Sequence, residues 1–91
     1  MATRWTDAEK KVLASFLDGE RIVRLPARQQ KRMVILRWLL EKFEPDRVYP
    51  QAELNEIVRR YHPDVALVRR EWVEFGLMDR RGGKYWRTDG T

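Results

Sequence analysis

Apolar residues recur along this chain at helical spacing in four separate stretches. Val12, Leu13, Phe16 and Leu17 form the first stripe, and Met33, Leu36, Leu39, Leu40 and Phe43 the second. Leu54, Ile57, Val58 and Tyr61 form the third, and Val65, Val68, Trp72 and Phe75 the fourth. Each set falls on one arc of a 3.6-residue wheel, as a helix with one buried face requires. The punctuation agrees with the periodicity. Thr6 and Glu9 have the spacing of a capping box, and Gly19 is a natural stop. Pro50 stands where a helix begins, with Tyr49 placed to staple onto Leu54. Pro63 disfavours helical geometry at His62, and Asp64 then caps the next helix, which Gly76 ends. Helices are therefore predicted at about 6–18, 27–43, 51–61 and 64–75.

The remaining segments read as extended. Arg21 to Leu25 is short and β-branched and stops at Pro26, Arg47 to Tyr49 is a brief extended piece, and Glu44-Pro45-Asp46 is a turn. Leu77-Met78-Asp79-Arg80-Arg81 and Lys84-Tyr85-Trp86-Arg87-Thr88 flank Gly82-Gly83, a pair suited to a type I′ hairpin with positive φ at both positions. The hairpin is predicted at about 77–88. Alternation puts Met78, Arg80, Tyr85 and Arg87 on one face and Asp79, Arg81, Lys84 and Trp86 on the other. From the long second helix onward, the order is that of a winged helix-turn-helix. The expected fold is mainly α with a small β-hairpin (α+β), with an extra N-terminal helix and short strand, and residues 1–91 form a single domain.

The second helix is apolar around most of its circumference, since Val34, Ile35 and Trp38 lie beside its main stripe. It is expected at the centre of the fold. Its first turn and a half has a different character, with Arg28, Lys31 and Arg32 among glutamines. Basic residues there oppose the helix macrodipole, so either an external anion wants them or they only keep the helix soluble.

Charge sharpens that point. The net +5 is concentrated in residues 19–37, which carry six basic groups against Glu20 alone, whereas residues 38–58 sum to −3. Basic surface concentrated this way suits a polyanion, nucleic acid first among them. On the fourth helix Arg70, Leu67 and Glu74 point away from the apolar stripe, while Arg69 lies at its edge. Arg70 is placed to reach a base edge or phosphate. Arg69 reaches either a phosphate or an acid such as Glu53 or Glu56. Leu67 has only a thymine methyl to touch, and Glu74 repels phosphate, so any binding is backbone-dominated. At the hairpin tip Arg81 faces Lys84, a like-charged pair that an adjacent anion would relieve.

Several classes are disfavoured. The chain has no cysteine and one histidine. Disulfides are therefore excluded, no metal site is expected, and His62 is better explained as a corner residue bonded to a helix end than as a catalytic base. Gly82-Gly83 lacks the surroundings of a phosphate-binding loop. The longest apolar run, Met33 to Leu40, is interrupted by Arg37 and too short to span a membrane, and the N-terminus lacks a signal-peptide core, which together point to the cytoplasm. No enzyme activity and no cofactor are expected.

Two resemblances add to this reading. Leu67-Val68-Arg69-Arg70-Glu71-Trp72, followed by Gly76-Leu77 and Arg80, is similar to the recognition-helix signature of DeoR-type repressors, with Leu67 in place of a threonine. The stretches 24–39, 48–80 and 82–87 together resemble a small bacterial family of unknown function. That domain is found alone or at the C-terminus of ArsR-type transcriptional regulators, and Leu67 again departs from its usual threonine. The resemblance implies a regulatory role. The expected function is a DNA-binding module on double-stranded DNA, with helix 64–75 in the major groove and the 81–84 wing on phosphate or the minor groove. Arg24, Arg28, Lys31 and Arg32 would add a second electrostatic contact. The alternative is a protein-interaction or dimerisation module of a regulator, using Trp5, Trp38 or Leu67 as apolar contacts, either as a homodimer or with a regulatory protein.

Overall fold

The computed structural model describes residues 5–88. Its elements run α1 (Asp7–Phe16), β1 (Leu17–Asp18), β2 (Arg21–Ile22), α2 (Gln29–Leu40), β3 (Tyr49–Pro50), α3 (Gln51–Arg59), α4 (Val65–Glu74), β4 (Met78–Arg81) and β5 (Lys84–Arg87). Strands β3, β5 and β4 form one antiparallel sheet in that order, and β1 and β2 form a second, separate pair. The brief extended piece before α3 is thus the third strand of the wing sheet, with Tyr49 opposite Tyr85 and Pro50 opposite Lys84. Three helices interleaved with a β3–β5–β4 sheet make a winged helix-turn-helix, preceded by α1 and the β1–β2 hairpin.

The capping box forms as its spacing requires. The Thr6 hydroxyl accepts from the Glu9 amide at 3.1 Å, and the Glu9 carboxylate accepts from the Thr6 amide at 2.9 Å. The helix stops earlier than expected, at Phe16 instead of residue 18. Leu17 and Asp18 become extended and pair back onto Ile22 and Arg21. Gly19, at φ +63°, is therefore a hairpin residue and not a helix terminator. The strand expected over Arg21 to Leu25 shortens to two residues, and the Ile22 amide leaves it to donate to the Tyr61 carbonyl at 2.8 Å.

Helix α2 covers 29–40 within the expected 27–43. Arg28 is its N-cap, and Lys42 and Phe43 donate to carbonyls three residues back, so the last turn tightens away from α-helical geometry. Val34, Ile35, Leu36, Leu39 and Leu40 are buried on it, which makes it the central helix. No residue of α1 is fully buried. That helix rests on α2 through the partly buried Val12, Leu13 and Phe16.

The core is organised around Trp72 of α4, which has 0% relative exposure. Its indole N–H donates to the Leu36 carbonyl of α2 at 3.0 Å. Its ring meets Phe43 edge-on at 5.4 Å, and Phe43 meets Tyr49 at 4.9 Å. The Tyr49 hydroxyl then accepts from the Glu44 amide at 2.8 Å. One aromatic chain thus joins α4, the end of α2 and the first strand of the wing sheet, in the tilted geometry that ring quadrupoles favour.

The corner between α3 and α4 is secured by local polar contacts. The Asp64 amide donates to His62 Nδ1 at 3.0 Å, and Asp64 Oδ1 accepts from the Leu67 amide at 3.2 Å. His62 therefore bonds at a helix start, as expected, and accepting that proton requires an unprotonated Nδ1. Burial pushes its imidazole pKa below the ordinary value against the pull of the Asp64 carboxylate.

Two expectations follow. Trp72→Phe removes the indole donor and leaves a small void, while the Leu36 carbonyl keeps its helical partner. Urea unfolding should therefore show a loss of about 1–3 kcal/mol with an unchanged m-value. For His62, the folded pKa lies below the unfolded one, so the unfolded chain binds more protons between the two. Stability should rise with pH through that window and level off above about pH 6.5. Melting curves recorded by circular dichroism from about pH 5 to 7.5 check this, and His62→Gln should flatten the low-pH side of the profile.

Candidate nucleic-acid interface

The outward face of α4 is fixed by what its other faces hold. Val65, Val68 and Trp72 point into the core. Arg69, at one edge of that stripe, donates from Nη1 to the Asn55 side-chain oxygen of α3 at 2.6 Å, and its Nε is buried with no partner. Neither Glu53 nor Glu56 takes this guanidinium. Glu53 is instead paired with Arg47, whose guanidinium also lies 4.4 Å over the Tyr49 ring. Arg69 joins α3 to α4.

The opposite edge of α4 carries Glu71, which is 5% exposed. Its Oε2 pairs with Arg32 Nη1 of α2 at 2.6 Å, and Arg32 Nε donates to the Pro26 carbonyl at 2.9 Å. A guanidinium held on two sides is occupied by the fold, so Arg32 is an anchor between α2 and α4. The sequence carried a signal of this. Arg32 lies four residues before Leu36 and seven before Leu39, in line with the buried stripe, where a cation needs a buried partner. Asn55 gave no comparable signal, because a neutral amide on a helix flank is ordinary surface composition.

What remains on the outer face is Leu67, half-buried, with Arg70 and Glu74, both exposed. Arg70 Nε is 3.8 Å from Glu74 Oε1, and both side chains are more than half exposed, an arrangement that contributes little to stability and leaves Arg70 available.

The hairpin has the expected register, with Met78 opposite Arg87, Asp79 opposite Trp86, Arg80 opposite Tyr85 and Arg81 opposite Lys84. Gly82 and Gly83 have φ +57° and +77°, the positive values a type I′ turn needs at both positions. Met78 and Tyr85 are buried, whereas Arg80, Arg81 and Lys84 are exposed and form no ion pair among the described residues. The tip is also tethered, since the Gln51 amide at the start of α3 donates to the Gly83 carbonyl at 2.9 Å. Two like charges are thus held opposite one another on a fixed turn.

The basic segment 21–32 does not form one patch. Arg28 is exposed one turn before Arg32, on the line of α2 that faces α4. Lys31 lies on the α1 side, lining the groove between α1 and α2. Arg24 sits 5.4 Å from the Phe16 ring, and Arg21 Nη1 reaches the Arg60 carbonyl at 3.5 Å. The apolar contact candidates are also engaged. Trp5 lies 5.0 Å beneath Arg37, Trp38 meets Tyr61 edge-on at 5.8 Å, and both are half-buried. Among the described residues, the exposed large apolar side chains are Val23 and Val48. No group of three potential metal ligands occurs among these residues, and no helix of theirs is long and apolar enough to cross a membrane.

Replacing Arg32 by Ala would strand the Glu71 carboxylate. A loss of roughly 2–4 kcal/mol is expected in urea unfolding, and Arg32→Met combined with Glu71→Leu should recover most of it. Additive losses in the double variant would show that the pair does not anchor the helix. Beyond the geometry, no curated protein and no solved structure matches the chain. A family profile described as an uncharacterized protein conserved in bacteria (DUF2087) matches residues 21–87. The matched span begins at β2 and runs to the end of β5, so it holds the whole winged helix-turn-helix and leaves α1 outside. The chain belongs to this bacterial family.

Proposed function

We propose that this domain binds double-stranded DNA as a transcription-regulatory module, chiefly through the phosphate backbone. The observation that carries the reading is the tip of the wing. Arg81 and Lys84 face each other across a turn hydrogen-bonded to the start of α3, and neither they nor nearby Arg80 form an ion pair among the described residues. Like charges in cross-strand register repel, and a phosphate beside them removes the penalty. On this reading α4 lies in the major groove, with Arg70 reaching a base edge or phosphate and Leu67 against a thymine methyl. Arg28 adds a contact from the start of α2. Arg32 and Arg69 act indirectly, by holding α4 against α2 and α3. Lys31 and Arg24 face other parts of the surface and are not needed. The similarity of residues 67–72 to DeoR-type recognition helices supports the same orientation.

A second reading has one specific observation in its favour. Val48 is 51% exposed and lies beside Trp86 and Pro45 on the outside of the wing sheet. Such a patch suits a protein partner or a second copy. The resemblance to domains that follow an ArsR-type DNA reader favours it too, since such a regulator already has a reader.

Fluorescence anisotropy on a random-sequence duplex at about 50 and 200 mM salt separates the two readings. Binding should weaken steeply with salt. Arg81→Ala with Lys84→Ala should flatten the log–log salt dependence by about two contacts' worth, and Arg70→Ala by about one. Lys10→Ala, on exposed α1, should leave the slope nearly unchanged. Absence of binding at the lower salt would leave the protein-partner reading.

A further inference from the structure

Between α1 and the first half of α2 runs a groove of about 520 Å³, lined by Ala8, Val12, Phe16 and Val34 with Lys11, Lys31 and Gln30 at its margin. That volume is within the range of roughly 300–1,000 Å³ typical of small-molecule sites. We infer that this groove binds a small amphipathic carboxylate, with its apolar body along α1 and its charge between Lys11 and Lys31.

Three observations lead there. The floor is apolar because α1 covers α2 incompletely: none of its residues is buried, so Val12 and Phe16 each keep an open side. Apolar surface of this kind gains by being covered. The charge at the margin is uncompensated. Lys11 and Lys31 are exposed and have no ion pair among the described residues. The acid that lines the groove, Glu9, is already committed through both oxygens. Oε1 accepts from the Thr6 amide and Oε2 from Arg37, each at 2.9 Å. A hydrogen bond from that amide, with the Arg37 guanidinium beside it, holds the Glu9 carboxyl below its ordinary range, so it stays ionised and paired. The site therefore presents two free cations beside an apolar trough.

The length sets the class of ligand. From Ala8 to Phe16 the trough follows α1 for about 12 Å at 1.5 Å per residue, which suits an extended medium-chain fatty acid. A phosphate alone would not use the apolar floor. This inference is independent of DNA binding, because Lys11 and the trough have no part in that reading.

The test uses octanoate with the full chain, followed by amide chemical shifts in a two-dimensional NMR titration. Shifts should concentrate at Ala8, Val12, Ser15 and Val34. Octanoate should bind about fifteenfold more tightly than hexanoate, since each of the two extra buried methylenes multiplies affinity roughly fourfold. It should also bind about tenfold more tightly than octan-1-ol, which lacks the charge. Lys11→Ala with Lys31→Ala should erase the second difference and keep the first. Ala8→Phe, at an exposed helix position, should fill the trough and abolish both. Unchanged melting curves for these surface variants would show that the fold persists. Equal affinity for acid and alcohol, shifts dispersed away from α1, or binding indifferent to Ala8→Phe would each overturn the assignment. So would a dimer that Ala8→Phe returns to monomer in sedimentation, which would place a second copy of the chain in the groove.

Discussion

The seating of Trp72 is the contact on which the rest of the molecule depends. An indole buried in an 91-residue domain brings a large apolar area into the core, but its N–H must also find an acceptor there. The Leu36 carbonyl supplies one from the middle of α2, so burial and hydrogen bonding are satisfied by a single placement of α4 on α2. Phe43 and Tyr49 carry that placement into the wing sheet through ring-edge contacts. Two polar anchors then fix the rotation of α4 about its own axis, Glu71 to Arg32 on one flank and Arg69 to Asn55 on the other. The outward position of Leu67, Arg70 and Glu74 is a consequence of these contacts. Nothing on the outer face holds itself in place.

The acidic residues have a corresponding effect on the electrostatics. Glu71, Glu9, Glu20 and Glu53 each pair with a cation, namely Arg32, Arg37, Lys42 and Arg47. Among the described residues, cations without an acidic partner stand at the hairpin tip, at the start of α2, at the end of α3 and on the exposed side of α1. Net charge alone gives no hint of this partition. An acid-rich middle segment and a basic early one look like opposed patches along the chain, yet Arg32, from the basic segment, is neutralised by a glutamate far along in α4.

The helices, the corner and the hairpin were legible because each rests on local rules. Periodicity located the stripes, Thr6 and Asp64 located caps, and two consecutive glycines set both turn type and register. The early end of α1 was less visible. Leu17 continues the helical stripe, but it is drawn into a strand by pairing with Ile22, whose burial is a tertiary effect. The candidate site divided along the same line. The facing of Arg81 and Lys84 follows from the turn and was readable. Arg69 had two readings open because its fate depended on which α3 side chain came within reach, and the answer was a neutral amide. The separation of Arg24 and Lys31 from the side that Arg28 and Arg32 share could not be read from their proximity in sequence, since the four span a hairpin exit, a proline and a helix start.

The thin attachment of α1 has an energetic meaning of its own. Beyond its first turn its amides are satisfied within the helix, and none of its residues is fully buried. The β2 strand that follows is tied to the α3–α4 corner by the Ile22–Tyr61 bond, so the winged domain keeps its closure without help from α1. A segment held this way opens at a lower free energy than the domain unfolds. Its amide protons would therefore exchange with solvent as a separate, earlier group, and the surface of α2 around Val34 would be intermittently uncovered while the core around Trp72 stays closed.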